Sequence, residues 1–128
     1  MTIRKTGGTE TSWGTEIIFA STEKYCGKLL IFKEAGAKTA IQFHKEKEKS
    51  WFVNEGSFLV RWIDTISGIA KENVVKQGDV VEVPQLRPFQ VEALLPNSII
   101  FEIGTAEYEK DTFKLSPEET TDVQPQEL

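Results

Sequence analysis

Histidine and cysteine are almost missing from this sequence: each occurs once in 128 residues, as His44 and Cys26. A lone cysteine excludes an intramolecular disulfide and any zinc site built from several thiolates. The lone histidine restricts the chemistry further, because hydrolytic triads and most catalytic metal centres draw on imidazole. Long apolar runs are missing too. No stretch approaches the roughly 20 residues that span a bilayer, and the opening Met1-Thr-Ile-Arg-Lys-Thr-Gly-Gly-Thr-Glu10 has no apolar signal core. No membrane partner is expected, and a cytoplasmic location follows as the default. Basic residues are in the minority, 15 Lys plus Arg against 20 Asp plus Glu, for a net charge of −5. That is the wrong sign for a protein whose main partner is a phosphate backbone, so nucleic acid is not expected either.

Apolar residues make up 39% of the chain, with eight Phe, three Trp and two Tyr, enough for one buried core and too little chain for two. The pattern between the polar ends has the two-residue period of strands: Glu16–Phe19, Lys28–Lys33, Ala40–His44, Trp51–Val53, Ser57–Ile63, Val80–Val83, Phe89–Ala93 and Ser98–Ile103. Turn signals separate these runs at Glu34-Ala-Gly36, Asn54-Glu-Gly56, Ser67-Gly68, Gln77-Gly-Asp79 and Pro96-Asn97, and Asn54-Glu-Gly-Ser57 reads as a tight hairpin. No amphipathic helix of helical period stands out, so an antiparallel sandwich or barrel is expected. Glu107–Leu115 fits either a helix or a turn followed by a short strand. Residues 1–11 are expected to be a flexible segment, 12–115 the folded body, and 116–128 a polar tail with nothing to bury.

The order of the punctuation is specific. Gly36 is followed by Gln42-x-His44, then Glu48, then Trp51-Phe-Val-Asn-Glu-Gly56, and further on Gly78 precedes Pro84. This resembles the two-motif pattern of the cupin superfamily, which implies an all-β jelly-roll barrel (a double-stranded β-helix). Within it the chain looks most like the type II mannose-6-phosphate isomerase cupin, on Trp13-Gly14, Tyr25, Lys28, Gly36, Gln42-x-His44, Trp51, Gly56, Gly78-Asp79, Pro84, Glu92, Glu102 and Asp111. The departures fall where that family does its chemistry. Its Pro-x-Gly-x-x-His is replaced by Pro84-Gln-Leu86-Arg-Pro-Phe89, its following Asn by Ala93, and its first-motif carboxylate falls on Lys49.

On a continuous strand Gln42, His44 and Glu46 share one face, which in a jelly roll is the barrel interior. An amide oxygen, an imidazole and a carboxylate, with Glu48 beside them, form a ligand set for one divalent Zn, Mn or Fe. The resemblance implies metal ligation by Gln42, His44, Glu46 and Glu48, and catalytic roles for Lys28 and His44. Lys28 and Lys114 are expected contacts for a substrate phosphate, and Trp51 and Phe89 are expected to line the ligand. The alternating run Lys45-Glu-Lys-Glu-Lys49 is expected to put its lysines in water. Three functions stay open: a sugar- or sugar-phosphate-binding cupin with a degenerate metal site, an active metal-dependent aldose–ketose isomerase, and a non-catalytic dimeric scaffold whose barrel is filled. A homodimer follows from the resemblance.

Overall fold

A computed structural model of the chain describes residues 1–108 and 110–116; the expected tail lies, from residue 117 on, outside the described residues. The described residues form strands and turns only, and no helix among them is long and apolar enough to cross a membrane. The strands are β1 (Gly8–Glu10), β2 (Thr15–Ser21), β3 (Tyr25–Phe32), β4 (Gln42–His44), β5 (Lys49–Glu55), β6 (Ser57–Ile63), β7 (Ala70–Lys76), β8 (Val80–Val83), β9 (Phe89–Ala93), β10 (Ser98–Thr105) and β11 (Thr112–Lys114). They build two antiparallel sheets, one ordered β1-β2-β3-β10-β5-β8 and the other β11-β4-β9-β6-β7. Part of the segment expected to be flexible is therefore structured, since Gly8–Glu10 pairs with Thr15–Ile17. The ambiguous Glu107–Leu115 stretch contributes an edge strand.

Alternation along each strand decides which residues meet between the sheets. On β5, Trp51 and Val53 are buried and Phe52 is exposed; on β10, Ile100 and Glu102 are buried and Phe101 and Ile103 are exposed. The β5–β6 hairpin turns at Gly56, whose φ of 80° is left-handed and where a Cβ would lie 2.0 Å from the Ser98 hydroxyl. Only glycine meets both conditions without strain.

The β3–β10 register sets the two ends of the interior. Ser98 pairs with Phe32 at one end, and Glu102 pairs with Lys28 near the other. The Phe32 end is aromatic: Trp13 stacks on Phe32 at 4.5 Å between centroids, and Phe58 meets Phe32 edge-on at 5.1 Å. Each such fully buried ring stabilises the fold by about 1.5–3 kcal/mol. The Lys28–Glu102 end is polar, and there the candidate functional residues gather.

Candidate functional site

Strand β4 stops at His44, and Asp111 is the reason. Its buried carboxylate accepts the backbone N–H groups of Lys45, Glu46 and Lys47 at 3.0, 2.9 and 3.0 Å. Burial pushes the Asp111 carboxyl up, but these three donors outweigh it and hold the group below its ordinary value. The chain is thereby wrapped into a turn, and the alternation that would place Glu46 beside His44 ends one residue too soon. Glu46 and Glu48 point into water. Lys47 turns inward instead, its side chain only 3% exposed, and Lys49 follows it on the inner face of β5. Lys45 is in water as expected, but Lys47 and Lys49 are inside and the glutamates outside.

His44 does lie in the interior, with its ring centroid 5.8 Å from that of Phe89. Its Nδ1 is 3.2 Å from the Thr112 hydroxyl, and its buried Nε2 has no hydrogen-bond partner. Burial first, then the charges of Lys49 and Lys47, lower its pKa to about 4, so the imidazole is neutral at pH 7. Gln42 is half-buried on the same strand and pairs with Phe89 across the β4–β9 ladder. Phe89 packs edge-on against Trp51 at 5.2 Å, so the expected lining residues Trp51 and Phe89 do meet.

The centre of this end of the sandwich is a carboxylate. Glu102 Oε1 accepts the Trp51 indole N–H at 2.9 Å and stands 3.0 Å from Lys49 Nζ, while its Oε2 is 3.4 Å from Lys47 Nζ. Burial raises its pKa, but the ammonium groups of Lys49, Lys47 and Lys28 outweigh burial and hold it at about 2. Lys49 lies over the faces of Phe89 and Trp51, at 4.7 and 5.4 Å from the centroids. Lys28, expected to be catalytic, bridges Glu107 at 2.7 Å and Glu16 at 3.5 Å, and Lys47 also reaches Glu107. Burial lowers the Lys28 pKa, but Glu102 and Glu107 more than reverse this and raise it above the ordinary lysine value. It is a fixed cation, not a proton acceptor.

A divalent cation does not fit this donor set. His44 is the one imidazole, Phe89 puts an apolar ring beside it, and two ammonium groups occupy the neighbouring space. The expected ligands Glu46 and Glu48 face away. Among the described residues no three His, Cys, Asp or Glu side chains are grouped to hold a metal ion.

The interior is nonetheless open on the far side of Phe89. A cavity of about 390 Å³ lies between the edge strands β7 and β8, walled by Val60, Val75, Val81, Val83 and Phe89. At its mouth Trp62 donates its indole N–H to Asn73 Oδ1 at 2.9 Å, and Arg87 Cζ lies 4.8 Å from the Trp62 ring centroid. The buried Arg87 Nε has no hydrogen-bond partner. A larger depression, about 950 Å³, crosses the six-stranded sheet over Ala20, Gly27, Ile103 and Ser50 and reaches Lys49 and Arg87.

With this geometry in hand, solved structures give the comparison. The capsular polysaccharide assembling protein CapF from Staphylococcus aureus superposes with a TM-score of 0.78 over 89% of this chain and 32% of that one, at 17% identity. Oxalate decarboxylase from Bacillus subtilis gives 0.73 over 86% and 30%, at 21% identity. The chain has the cupin fold. KdgF from Halomonas sp. agrees, with a TM-score of 0.64 over 74% of this chain and 80% of that one, at 20% identity. The chain spans about a third of the CapF and oxalate decarboxylase chains that it matches. No protein-family model and no curated protein matches the sequence. Identities this low establish the cupin architecture and leave function to the site.

The sequence reading gave no site role to Lys47, Lys49, Glu102 or Glu107 at this polar end, nor to Arg87 at the cavity. For two of them a signal existed. Lys49 is two residues before Trp51 and four before Val53, so the inward face of β5 includes it. Glu102 likewise alternates with Ile100 and Ser98.

Proposed function

We propose that this protein is a ligand-binding cupin that holds a small polar molecule inside the jelly roll without metal chemistry. The observation that carries the reading is the 390 Å³ cavity against Phe89, which is of ligand-pocket size and leaves the interior unfilled where a scaffold would be packed. The Lys47–Glu102–Lys49 cluster supports the second half of the reading, because it fills the space where His44 and Phe89 meet with two lysine side chains on one carboxylate. Sugars and sugar phosphates are the ligand class that the likeness to mannose-6-phosphate isomerases suggests, and they are the first compounds to test. The aldose–ketose isomerase reading finds less support, since its proposed ligands Glu46 and Glu48 stand apart from His44.

The homodimer belongs to the same proposal. The outer face of the six-stranded sheet presents Phe19, Leu29, Phe52, Phe101 and Ile103 without an intervening charge. A second copy offers the same uncharged strip, so a twofold contact buries both.

Calorimetric titration with mannose 6-phosphate and fructose 6-phosphate, followed by NMR of the mixture with Mn²⁺, Fe²⁺ or Zn²⁺ added, tests the functional reading. No interconversion of the two sugars is expected, with or without the metal. Turnover between the two sugars that requires the metal would overturn it.

A further inference from the structure

The walls and mouth of the cavity have different chemistry, and together they narrow the ligand. Six valine side chains and the Phe89 ring line the cavity, and none of these side chains offers a hydrogen bond. A hexose placed against them would leave the hydroxyls that face those side chains unpaired, at a cost to binding. The charged and polar groups stand only at the mouth: Arg87, Asn73 and the exposed Glu82. Asn73 already uses its oxygen on the Trp62 indole. Arg87 is different. Its guanidinium carbon lies 4.8 Å from the Trp62 ring centroid, and its side chain lines the cavity. A guanidinium beside an apolar cavity accommodates one planar anion through its terminal N–H groups.

We infer that the cavity takes a compact hydrophobic carboxylate, aromatic or branched aliphatic, whose apolar body lies among Val60, Val75, Val81, Val83 and Phe89 and whose carboxylate meets Arg87 beside Trp62. The inference rests on the ligand-binding reading for the existence of a ligand and departs from the sugar class within it. It also moves the anion contact away from Lys28, whose ammonium is held by Glu107 and Glu16. Arg87 is then the residue that sets specificity, and no covalent step is involved.

The test is titration of the purified full chain with benzoate and 3-methylbutanoate, read by Trp fluorescence and by calorimetry. Benzamide serves as the neutral counterpart and mannose 6-phosphate as the sugar control. Saturable binding of the carboxylates is expected, with benzamide and the Arg87→Gln variant each weaker by at least about tenfold. Val75→Phe, which fills the cavity and leaves Arg87 in place, is expected to abolish binding, and far-UV circular dichroism establishes that both variants fold. Carboxylate binding that is equal in the wild type and Arg87→Gln overturns the inference. Binding of mannose 6-phosphate that is indifferent to Arg87→Gln overturns it and leaves the ligand-binding reading standing. No binding by any of the compounds overturns both.

Discussion

Lys49 Nζ and Glu102 Oε1 lie 3.0 Å apart between the sheets, with side chains 8% and 2% exposed. Lys47 completes the cluster from the other carboxylate oxygen. Removing one member of such a group leaves the rest buried and uncompensated, which typically costs about 3–5 kcal/mol. Glu102→Gln is therefore expected to destabilise the fold by about that amount in urea unfolding. Glu102→Leu combined with Lys49→Met is expected to cost less than the sum of the two single changes, because the pair is coupled. Strict additivity would mean that the two groups do not sense each other.

Acid should unfold the protein in two stages. His44 has a folded pKa of about 4 against an ordinary 6.5, so the unfolded chain takes the proton first. Its contribution is complete above pH 6.5 and is lost as pH falls toward 4, a loss on the order of 2 kcal/mol once solvent screening is discounted. Glu102 and Glu107 sit at about 2 against an ordinary 4.5. Their contributions are complete above pH 4.5 and are lost as pH falls through 2. Tm measured from pH 8 to 2 is expected to fall in both windows, and His44→Gln to flatten the first. A variant whose Tm falls as steeply as the wild type between pH 6.5 and 4 would remove His44 from the account.

Leu86 holds a left-handed backbone, φ 63°, at the position where the cupin-like motif of the isomerases has glycine. Its N–H donates to the His44 carbonyl at 2.7 Å, so the loop keeps its shape although the residue is ill suited to it. The side chain is 55% exposed and contributes little by burial. Leu86→Gly is expected to stabilise the fold by roughly 0.5–1 kcal/mol, the relief of strain less the added entropy of the unfolded chain. A lower urea midpoint for the glycine variant would show that the left-handed conformation carries no cost here.

On the outer sheet face, Phe52 and Ile103 are 42% and 64% exposed. Sedimentation of the wild type is expected to give twice the mass of the chain, and Phe101→Asp, in the middle of that strip, to give the monomer. A monomeric wild type, or a variant that still pairs, would place the contact elsewhere or remove it.

Most of the sandwich was legible because burial and alternation coincide: Ser57–Ile63, Val80–Val83 and Phe89–Ala93 read from the sequence with the bounds the structure has. The strand β7 was not, because Ala70–Lys76 is exposed at all but one position and gives no two-residue hydrophobic signal. The candidate site was half legible. Its proximity of His44 to Phe89 followed from the motif, but the fate of Glu46 depended on Asp111, 65 residues away, capturing three backbone N–H groups. No local pattern announces a side chain that distant. Lys47 and Lys49 were misplaced for a related reason: a buried lysine is unfavourable until its carboxylate partner, here Glu102 on another strand, is known.

The central claim is that the buried Lys47 and Lys49 side chains, not a metal ion, are the partners of Glu102 in this interior, and elemental analysis tests it most directly. Protein purified without chelator, the His44→Ala variant, Phe89→His, and Phe89→His combined with Lys49→Glu are compared after equilibration with Zn²⁺ or Mn²⁺. The account predicts far less than one metal per chain in the first three, because Lys49 and Lys47 occupy the carboxylate and His44 alone is left to ligate. It predicts measurable binding only in the double variant, which exchanges an ammonium for a carboxylate and adds a second imidazole. One metal per chain in the unaltered protein, lost in His44→Ala, would contradict it.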